Sequence, residues 1–213
     1  MDTIPLPPIC VTCLPPWPQA MMFAGKNIEN RDANVAARLA PFVGQNIGIS
    51  QSKGFPSYYP VEQAELEAHC IANDFGDELR DPLGGTETWK QTAGKLLLVA
   101  RLDRIAKPSE YGRNPWHVAG QHGLVLGKVW QVEPVHITGG AGAWEPAWCV
   151  KCGHIIADNA CLTDRKTKAA KPCPSCKAIF PECRMTRKGM EHLNANCGAS
   201  IERPQLQIVR ECQ

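Results

Sequence analysis

The chain has 213 residues, of which 44% are hydrophobic and 21% are charged, and its formal net charge is +2. This balance excludes a largely disordered chain, and 18 glycines with 18 prolines argue against a protein built from long helices. The start has no signal-type segment and charges interrupt the longest apolar stretches, so we expect a cytoplasmic protein outside the membrane.

The predicted elements follow the chain as short strands separated by turn-rich segments. β-Type composition and period-two alternation predict strands at 9–14, 27–31, 45–52, 95–106 and 123–135. Proline-led segments predict a helix that holds residues 20–23 and ends at Gly25, and a second helix over 60–74. Many strands with few helices predict an α+β fold, a small mixed β-barrel with short helices.

A change in composition predicts two domains. Glycine-rich residues 139–148 predict a linker or a sheet edge, and eight of the eleven cysteines follow it. Residues 1–148 hold 12 Lys and Arg against 15 Asp and Glu, whereas residues 149–213 hold 11 against 6. We therefore expect a barrel domain at 1–146 and a basic, cysteine-rich module at 147–213, whose charge suits phosphate or is merely a solvated surface.

Three charged side chains follow an uncharged run of ten residues, 16–25. Lys26 lies at the turn, and Glu29 and Arg31 share one face of the predicted strand. An exposed strand end in water is one reading of this pattern. The other is a cleft, in which guanidinium and ammonium groups hold a phosphate or a base edge.

This motif resembles that of the ASCH domain family, a branch of the PUA-like β-barrels. The family pattern resembles Gly-x-Lys-x-x-Glu-x-Arg after a Pro-Trp helix start, and this chain offers Trp17, Lys26, Glu29 and Arg31. Residues 116–146 also look like the closing strands of versions common in phages and bacteria, so the resemblance covers roughly 9–146. One departure is that Ala24 stands where the family has the glycine two residues before the lysine.

The resemblance implies nucleic-acid binding, more in keeping with RNA than DNA. A base or nucleotide would meet Lys26, Glu29, Arg31 and Trp17 in a cleft of the barrel, and the basic module would add phosphate contacts. An alternative implied by the family is a hydrolase of a modified nucleoside or a ribonuclease that uses Lys26 and Glu29. The amidohydrolase members have a threonine three residues after the lysine, where this chain has Glu29. We assign His117 and His122 no catalytic role.

Four cysteines have the spacing of a four-thiolate zinc ribbon. Cys149 and Cys152 form one Cys-x2-Cys pair, and twenty residues later Cys173 and Cys176 form another. Four protein thiolates fill a tetrahedral Zn²⁺ and leave no open position, so the predicted zinc is structural. A zinc-stapled protein-interaction adaptor without nucleic-acid binding is a third functional class that fits this module.

The remaining cysteines leave further alternatives open. A second metal could be held by a set at Cys161, Cys183, His192 and Cys197. His192 and Cys197 could instead join Cys173 and Cys176 in a finger, and spare thiols are the simplest reading. Cys10 and Cys13 are also spaced Cys-x2-Cys, but they lie in a predicted strand and are expected to be core residues.

Overall fold

The computed structural model describes residues 2–54, 90–149, 151–157, 171–178, 184–186 and 203–212. The strands of the described residues are β1 (Thr3–Pro5), β2 (Cys10–Cys13), β3 (Ile28–Arg31), β4 (Asn46–Gln51), β5 (Lys95–Ala106), β6 (His122–Thr138), β7 (Ala143–Trp144), β8 (Pro146–Cys149), β9 (Ile155–Ala157), β10 (Arg184–Thr186) and β11 (Gln205–Cys212). Two short α-helices, α1 (Trp17–Phe23) and α2 (Ala33–Leu39), and 3-10 turns at Ala40–Phe42 and Pro108–Glu110 complete them.

These strands form one curled sheet. Its order is β10-β8-β9-β6-β5-β4-β2-β7, and β3 and β11 also pair with β6, while β1 pairs with β11. The β5–β6 pair shifts register at several points between Leu96 and Arg104, and such bulges bend strands and increase their twist. The result is a half-barrel of α+β type, as the sequence predicted at this coarse level.

The core of the half-barrel is centred on β5, which the sequence marks as an unbroken apolar run. Residues 96–100 are all buried because packed side chains cover both faces of this strand. One cluster of buried residues contains Leu97, and another contains Leu96 together with the fully buried Trp144. Cys10 and Cys13 are also fully buried, in agreement with their prediction as core residues.

The segment between β2 and β3 presents the charged motif. Proline occupies the first turn of α1, and the helix ends at Ala24, whose backbone N–H donates to Ala20 O. Gly25 then takes a positive φ of 61°, and the backbone N–H of Lys26 also returns to Ala20 O. This tight turn delivers Lys26 to the start of β3, and it uses Gly25 where the family pattern has its glycine one residue earlier.

Most predicted elements agree with the observed bounds in the described residues. The predicted strand ends lie within three residues of those of β2, β3, β4 and β6, and the predicted bounds of β5 are the observed ones. Residues 139–148 do not form a free linker: β7 pairs with β2 and ends the strand order, so the predicted edge describes it better. The predicted helix at 60–74 lies outside the described residues.

The C-terminal residues are joined to the sheet of the N-terminal part. Strand β9 pairs in parallel with the end of β6, and β11 pairs antiparallel with both β6 and β1. The domain division at 146/147 stays a prediction, but residues 205–212 are built into the half-barrel. No helix of the described residues is both long and apolar enough to cross a membrane.

Candidate functional site

The three predicted charges form a connected ion-pair triad. Lys26 Nζ lies 3.3 Å from Glu29 Oε2, and Arg31 Nη2 lies 2.8 Å from Glu29 Oε1. Lys26 and Glu29 are only 3% and 5% exposed, so the reading of an exposed strand end is wrong. The triad carries a net charge of +1 in a place that largely excludes water.

Hydrogen bonds fix both cations of the triad to the sheet. Lys26 Nζ donates to the carbonyl oxygen of Ile28, and Arg31 Nη2 donates to Thr12 O at 2.8 Å. The same guanidinium nitrogen lies 3.1 Å from Cys13 Sγ. Arg31 Nε is buried and has no hydrogen-bond partner among the described residues.

The electrostatics of the triad keep Glu29 ionised and Cys13 neutral. Burial acts to raise the pKa of Glu29, but Arg31 and Lys26 outweigh it, so this pKa is lowered overall. Burial and the charge of Glu29 raise the pKa of the Cys13 thiol to about 12. Burial acts to lower the pKa of Arg31, and Glu29 reverses that effect. Cys13 is therefore a neutral thiol at physiological pH and not a thiolate nucleophile.

Two indole rings flank the ammonium group of Lys26. Its Nζ lies 5.6 Å from the centre of the Trp17 ring and 5.9 Å from that of Trp116. Both distances are in the range of cation–π attraction. Trp116 is buried, whereas Trp17 is partly exposed.

The loop that carries Trp116 is held by β3 itself. Asn30 Nδ2 donates to Trp116 O at 2.8 Å, and Asn30 Oδ1 accepts from Val118 N at 2.9 Å. Asn114 Nδ2 donates to Asn27 Oδ1 at 3.0 Å. The polar residues at 27–31 thus have two roles. Glu29 and Arg31 belong to the ion-pair triad, and Asn27 and Asn30 position the loop that carries the indole of Trp116.

A buried amide cluster next to the triad was missed by the sequence reasoning. Gln19 Nε2 donates to Gln51 Oε1 at 2.7 Å, and Thr92 Oγ1 donates to the same oxygen at 3.0 Å. Gln19 and Gln51 are each 1% exposed. The only available signal was a glutamine inside each of two otherwise apolar segments, α1 and β4.

The four predicted metal ligands meet in one cluster. The Sγ atoms of Cys149, Cys152, Cys173 and Cys176 all lie within 4.8 Å of one another. Cys149 Sγ is 3.6 Å from Cys176 Sγ, and Cys152 Sγ is 3.7 Å from Cys173 Sγ. A tetrahedral ion with metal–sulfur bonds of about 2.3 Å requires sulfur–sulfur separations of about 3.8 Å. The four cysteines can therefore bind a metal ion.

The two Cys-x2-Cys turns repeat the same backbone geometry. In each turn, the residue after the second cysteine has a positive φ: 72° at Gly153 and 62° at Lys177. The N–H of each donates to the carbonyl of the first cysteine, at 2.7 Å and 2.9 Å respectively. These paired loops aim both sulfurs of a turn at one point, as the sequence spacing predicted.

We expect Lys177→Gly to stabilise the cluster by about 1 kcal/mol, since a non-glycine residue in the left-handed region is strained. Lys177 is the one non-glycine residue with positive φ in the described part of the chain. Gly153→Ala is the matched reverse change and should destabilise by a similar amount. Chemical denaturation of the metal-loaded variants measures both effects, and equal free energies of unfolding would refute the strain argument.

The thiols of the four-cysteine cluster differ in their pKa values. Burial opposes ionisation of Cys152, but hydrogen bonds, led by the His154 backbone, lower its pKa to about 7. Burial raises the pKa of Cys173 to about 11. Metal binding must therefore displace protons from some of the thiols. The second predicted set, Cys161, Cys183, His192 and Cys197, lies outside the described residues.

The triad contains neither His117 nor His122, the two histidines to which the sequence analysis assigned no catalytic role. His117 is buried, and its Nε2 is 2.9 Å from Gln121 O, while His122 is partly buried in β6 opposite Arg31 of β3.

No family model matches the chain, and no curated protein matches it. The ASCH resemblance therefore stays a prediction that depends on the charged motif and on residues 116–146.

Proposed function

We propose that the protein binds single-stranded RNA through a base or nucleotide held at the triad, on a PUA-like barrel of the ASCH type. One observation carries this proposal: Lys26, Glu29 and Arg31 form a nearly buried, net-positive group, and two indole rings lie within 6 Å of the ammonium of Lys26. Charged groups are rarely buried without a reason, and a cation beside aromatic faces suits a base joined to a phosphate.

In this proposal, a base reaches the site at Trp17, whose side chain is partly exposed. A ring stacked on its indole would lie beside the ammonium of Lys26, and base stacking is worth about 1–3 kcal/mol per base. Arg31 Nε supplies a buried donor without a partner among the described residues. The site thus combines a stacking surface, positive charge and a hydrogen-bond donor.

The four-cysteine cluster is proposed to hold a structural Zn²⁺. Four sulfur ligands at tetrahedral spacing favour zinc or an iron–sulfur centre, and paired short turns are typical of zinc ribbons. With four protein ligands, the ion would have no position for substrate. Its role would be to hold β8 and its neighbours, while basic residues of the C-terminal part contribute phosphate affinity that falls with salt.

Lys26→Met is expected to weaken binding of single-stranded RNA at least tenfold, because it removes the cation beside the base. The matched control is Lys128→Met, whose side chain on β6 is 64% exposed and pairs with Glu211 at the surface. Affinity is measured by fluorescence anisotropy at several salt concentrations on the metal-loaded protein. Equal losses in both variants would place binding on general surface charge and refute the proposed site.

Hydrolysis has weaker support from the geometry. Glu29, the candidate base, has a lowered pKa and both oxygens in ion pairs, so it accepts protons poorly. The adaptor alternative is distinguished by the same titration: an adaptor would bind no RNA at low salt, whereas the proposed site would.

A further inference from the structure

The buried amide cluster of Gln19, Gln51 and Thr92 holds an acceptor that nothing in the described part of the chain satisfies. Gln19 Nε2 donates to Gln51 Oε1 at 2.7 Å and lies 3.4 Å from Thr92 Oγ1. Its other terminal atom, Gln19 Oε1, is buried and has no partner among the described residues. Native proteins rarely leave a buried acceptor unpaired, because the lost hydration is not repaid.

The orientation of this amide is set by its neighbours. With the Gln51 amide oriented as in this structure, Gln51 Oε1 accepts from Gln19 Nε2 and from Thr92 Oγ1, so the NH₂ end of Gln19 faces it. Turning the Gln19 amide over would place two oxygens against each other. Gln19 Oε1 is therefore the end left to face a further donor.

The amide cluster is linked to the charged triad through two neighbouring strand positions. Cys13 and Gln51 are register partners in the parallel pair β2–β4, so their side chains leave the sheet on the same face. The preceding pair, Thr12 and Ser50, confirms this register, because their hydroxyl oxygens are 3.0 Å apart. Cys13 Sγ contacts Arg31 Nη2, and Gln51 contacts Gln19, so one pair of neighbouring strand positions joins the amide cluster to the triad.

We propose that Gln19 is the base-reading residue of this site: its Oε1 accepts a hydrogen bond from an N–H group of a nucleobase. The inference depends on the proposed function and names the chemistry that the site selects. The ligand class is a nucleobase with an unblocked imino or exocyclic amino N–H, and Arg31 Nε would donate to an acceptor on the same ligand. Trp17 and Lys26 would hold the ring and the charge without reading the base.

Polar atoms buried in this way can discriminate strongly. A site that hydrogen-bonds a ligand N–H rejects the analogue without it, because the protein acceptor then stays unpaired in a dry environment. An apolar side chain at position 19 would remove the donor to Gln51 Oε1 and would offer a ligand no acceptor. In this proposal, the glutamine in the buried face of α1, among Ala20, Met21 and Met22, supplies both the donor to Gln51 and the acceptor that reads the ligand.

The test uses the metal-loaded full chain and needs no variant for its first arm. RNA decamers of each base are titrated beside decamers whose donors are blocked by methylation: N3-methyluridine, N4,N4-dimethylcytidine, N6,N6-dimethyladenosine and N1,N2,N2-trimethylguanosine. The wild-type protein is expected to bind its preferred base at least about tenfold more weakly when the donor is blocked. Equal affinity for blocked and unblocked decamers of that base would overturn the proposal.

In the second arm, the hydrogen-bond partner is removed from the protein instead of from the RNA. Gln19→Met keeps the length of the side chain and removes the acceptor, and it should bind the unblocked decamer about as weakly as the wild type binds the blocked one. The difference between the two decamers should then disappear. Gln131→Met, at a partly buried glutamine of β6 that accepts from Arg210, is the matched control and should keep the wild-type preference.

The arms separate failure of this inference from failure of the proposed function. Binding that depends on Lys26 but ignores donor methylation refutes the role of Gln19 and leaves RNA binding at the triad standing. Absence of any binding that depends on Lys26 refutes both. Titration with the corresponding nucleoside monophosphates distinguishes a free nucleotide from RNA as the source of the base.

Discussion

Cys149→Ser is expected to release the metal ion and to lower the free energy of unfolding by about 5 kcal/mol or more. Structural zinc sites contribute about 10–16 kcal/mol of binding free energy in small peptides, and a serine oxygen replaces a thiolate poorly. Cys149 ends β8 and, like Cys173, is fully buried, so the site loses one of its two fully enclosed ligands. Metal content by mass spectrometry and denaturant unfolding give the two measurements.

The effect should extend beyond the cysteine turns. Strand β9 begins at Ile155, directly after the first turn, and it pairs with both β8 and the end of β6. His154 Nε2 also lies 2.9 Å from Thr138 Oγ1 of β6. Loss of the metal should therefore change the near-ultraviolet circular dichroism of the buried Trp148, which neighbours Cys149.

Two controls test whether the metal ion binds at the four-cysteine cluster. A strong chelator added to the wild-type protein should reproduce the variant, because both remove the same ion. Cys212→Ser changes a partly buried thiol of β11 outside the cluster, so it should keep one metal ion per chain. If Cys149→Ser retained a full equivalent of metal, the cluster would not be the binding site.

The sequence predicted those parts of the molecule that depend on residues close together in the chain. The two Cys-x2-Cys turns and the motif from Lys26 to Arg31 are local patterns, and the structure brings each set together. The apolar run at 95–106 predicted a strand because its length and composition suffice for one. Spacing and alternation encode such features directly.

Contacts between distant segments could not be predicted in the same way. Gln19 meets Gln51 across 32 residues and Thr92 across 73, and no local pattern links these positions. Strand β11 was also missed, although Leu206 and Ile208 alternate with polar residues in it. Its pairing with β1 and β6 joins the two ends of the chain, and pairing partners at that separation are set by the whole fold.

The burial of the charged motif could not be predicted from the sequence. Its residue types suited an exposed strand end as well as a cleft, and burial decides between these readings. That burial comes from α1 and from Trp116, which lies about ninety residues further along the chain. The sequence could name the triad, but only the tertiary contacts explain its electrostatics.

Glu29→Leu is expected to destabilise the protein by about 3–5 kcal/mol, because it leaves two buried cations without their shared anion. Lys26→Met should cost less, since Glu29 keeps its 2.8 Å pair with Arg31. Equilibrium unfolding in urea ranks the two variants. A smaller loss for Glu29→Leu than for Lys26→Met would show that the carboxylate is not the centre of the triad.

The same carboxylate predicts a dependence of stability on pH. Arg31 and Lys26 lower the pKa of Glu29 in the folded state against the effect of burial. A group with a depressed folded pKa contributes stability that is complete above its unfolded pKa, roughly 4.3, and is lost as pH falls through the folded value. The wild type should therefore lose more free energy of unfolding between about pH 5 and pH 2 than Glu29→Gln loses.

The control for the pH experiment is Glu133→Gln, an exposed carboxylate of β6. This variant should follow the wild-type pH profile, because the Glu133 side chain is exposed and does not belong to the triad. If Glu29→Gln also kept the wild-type profile, the carboxylate would not be ion-paired in solution. The three side chains would then not form the connected, desolvated group on which the proposed recognition of RNA depends.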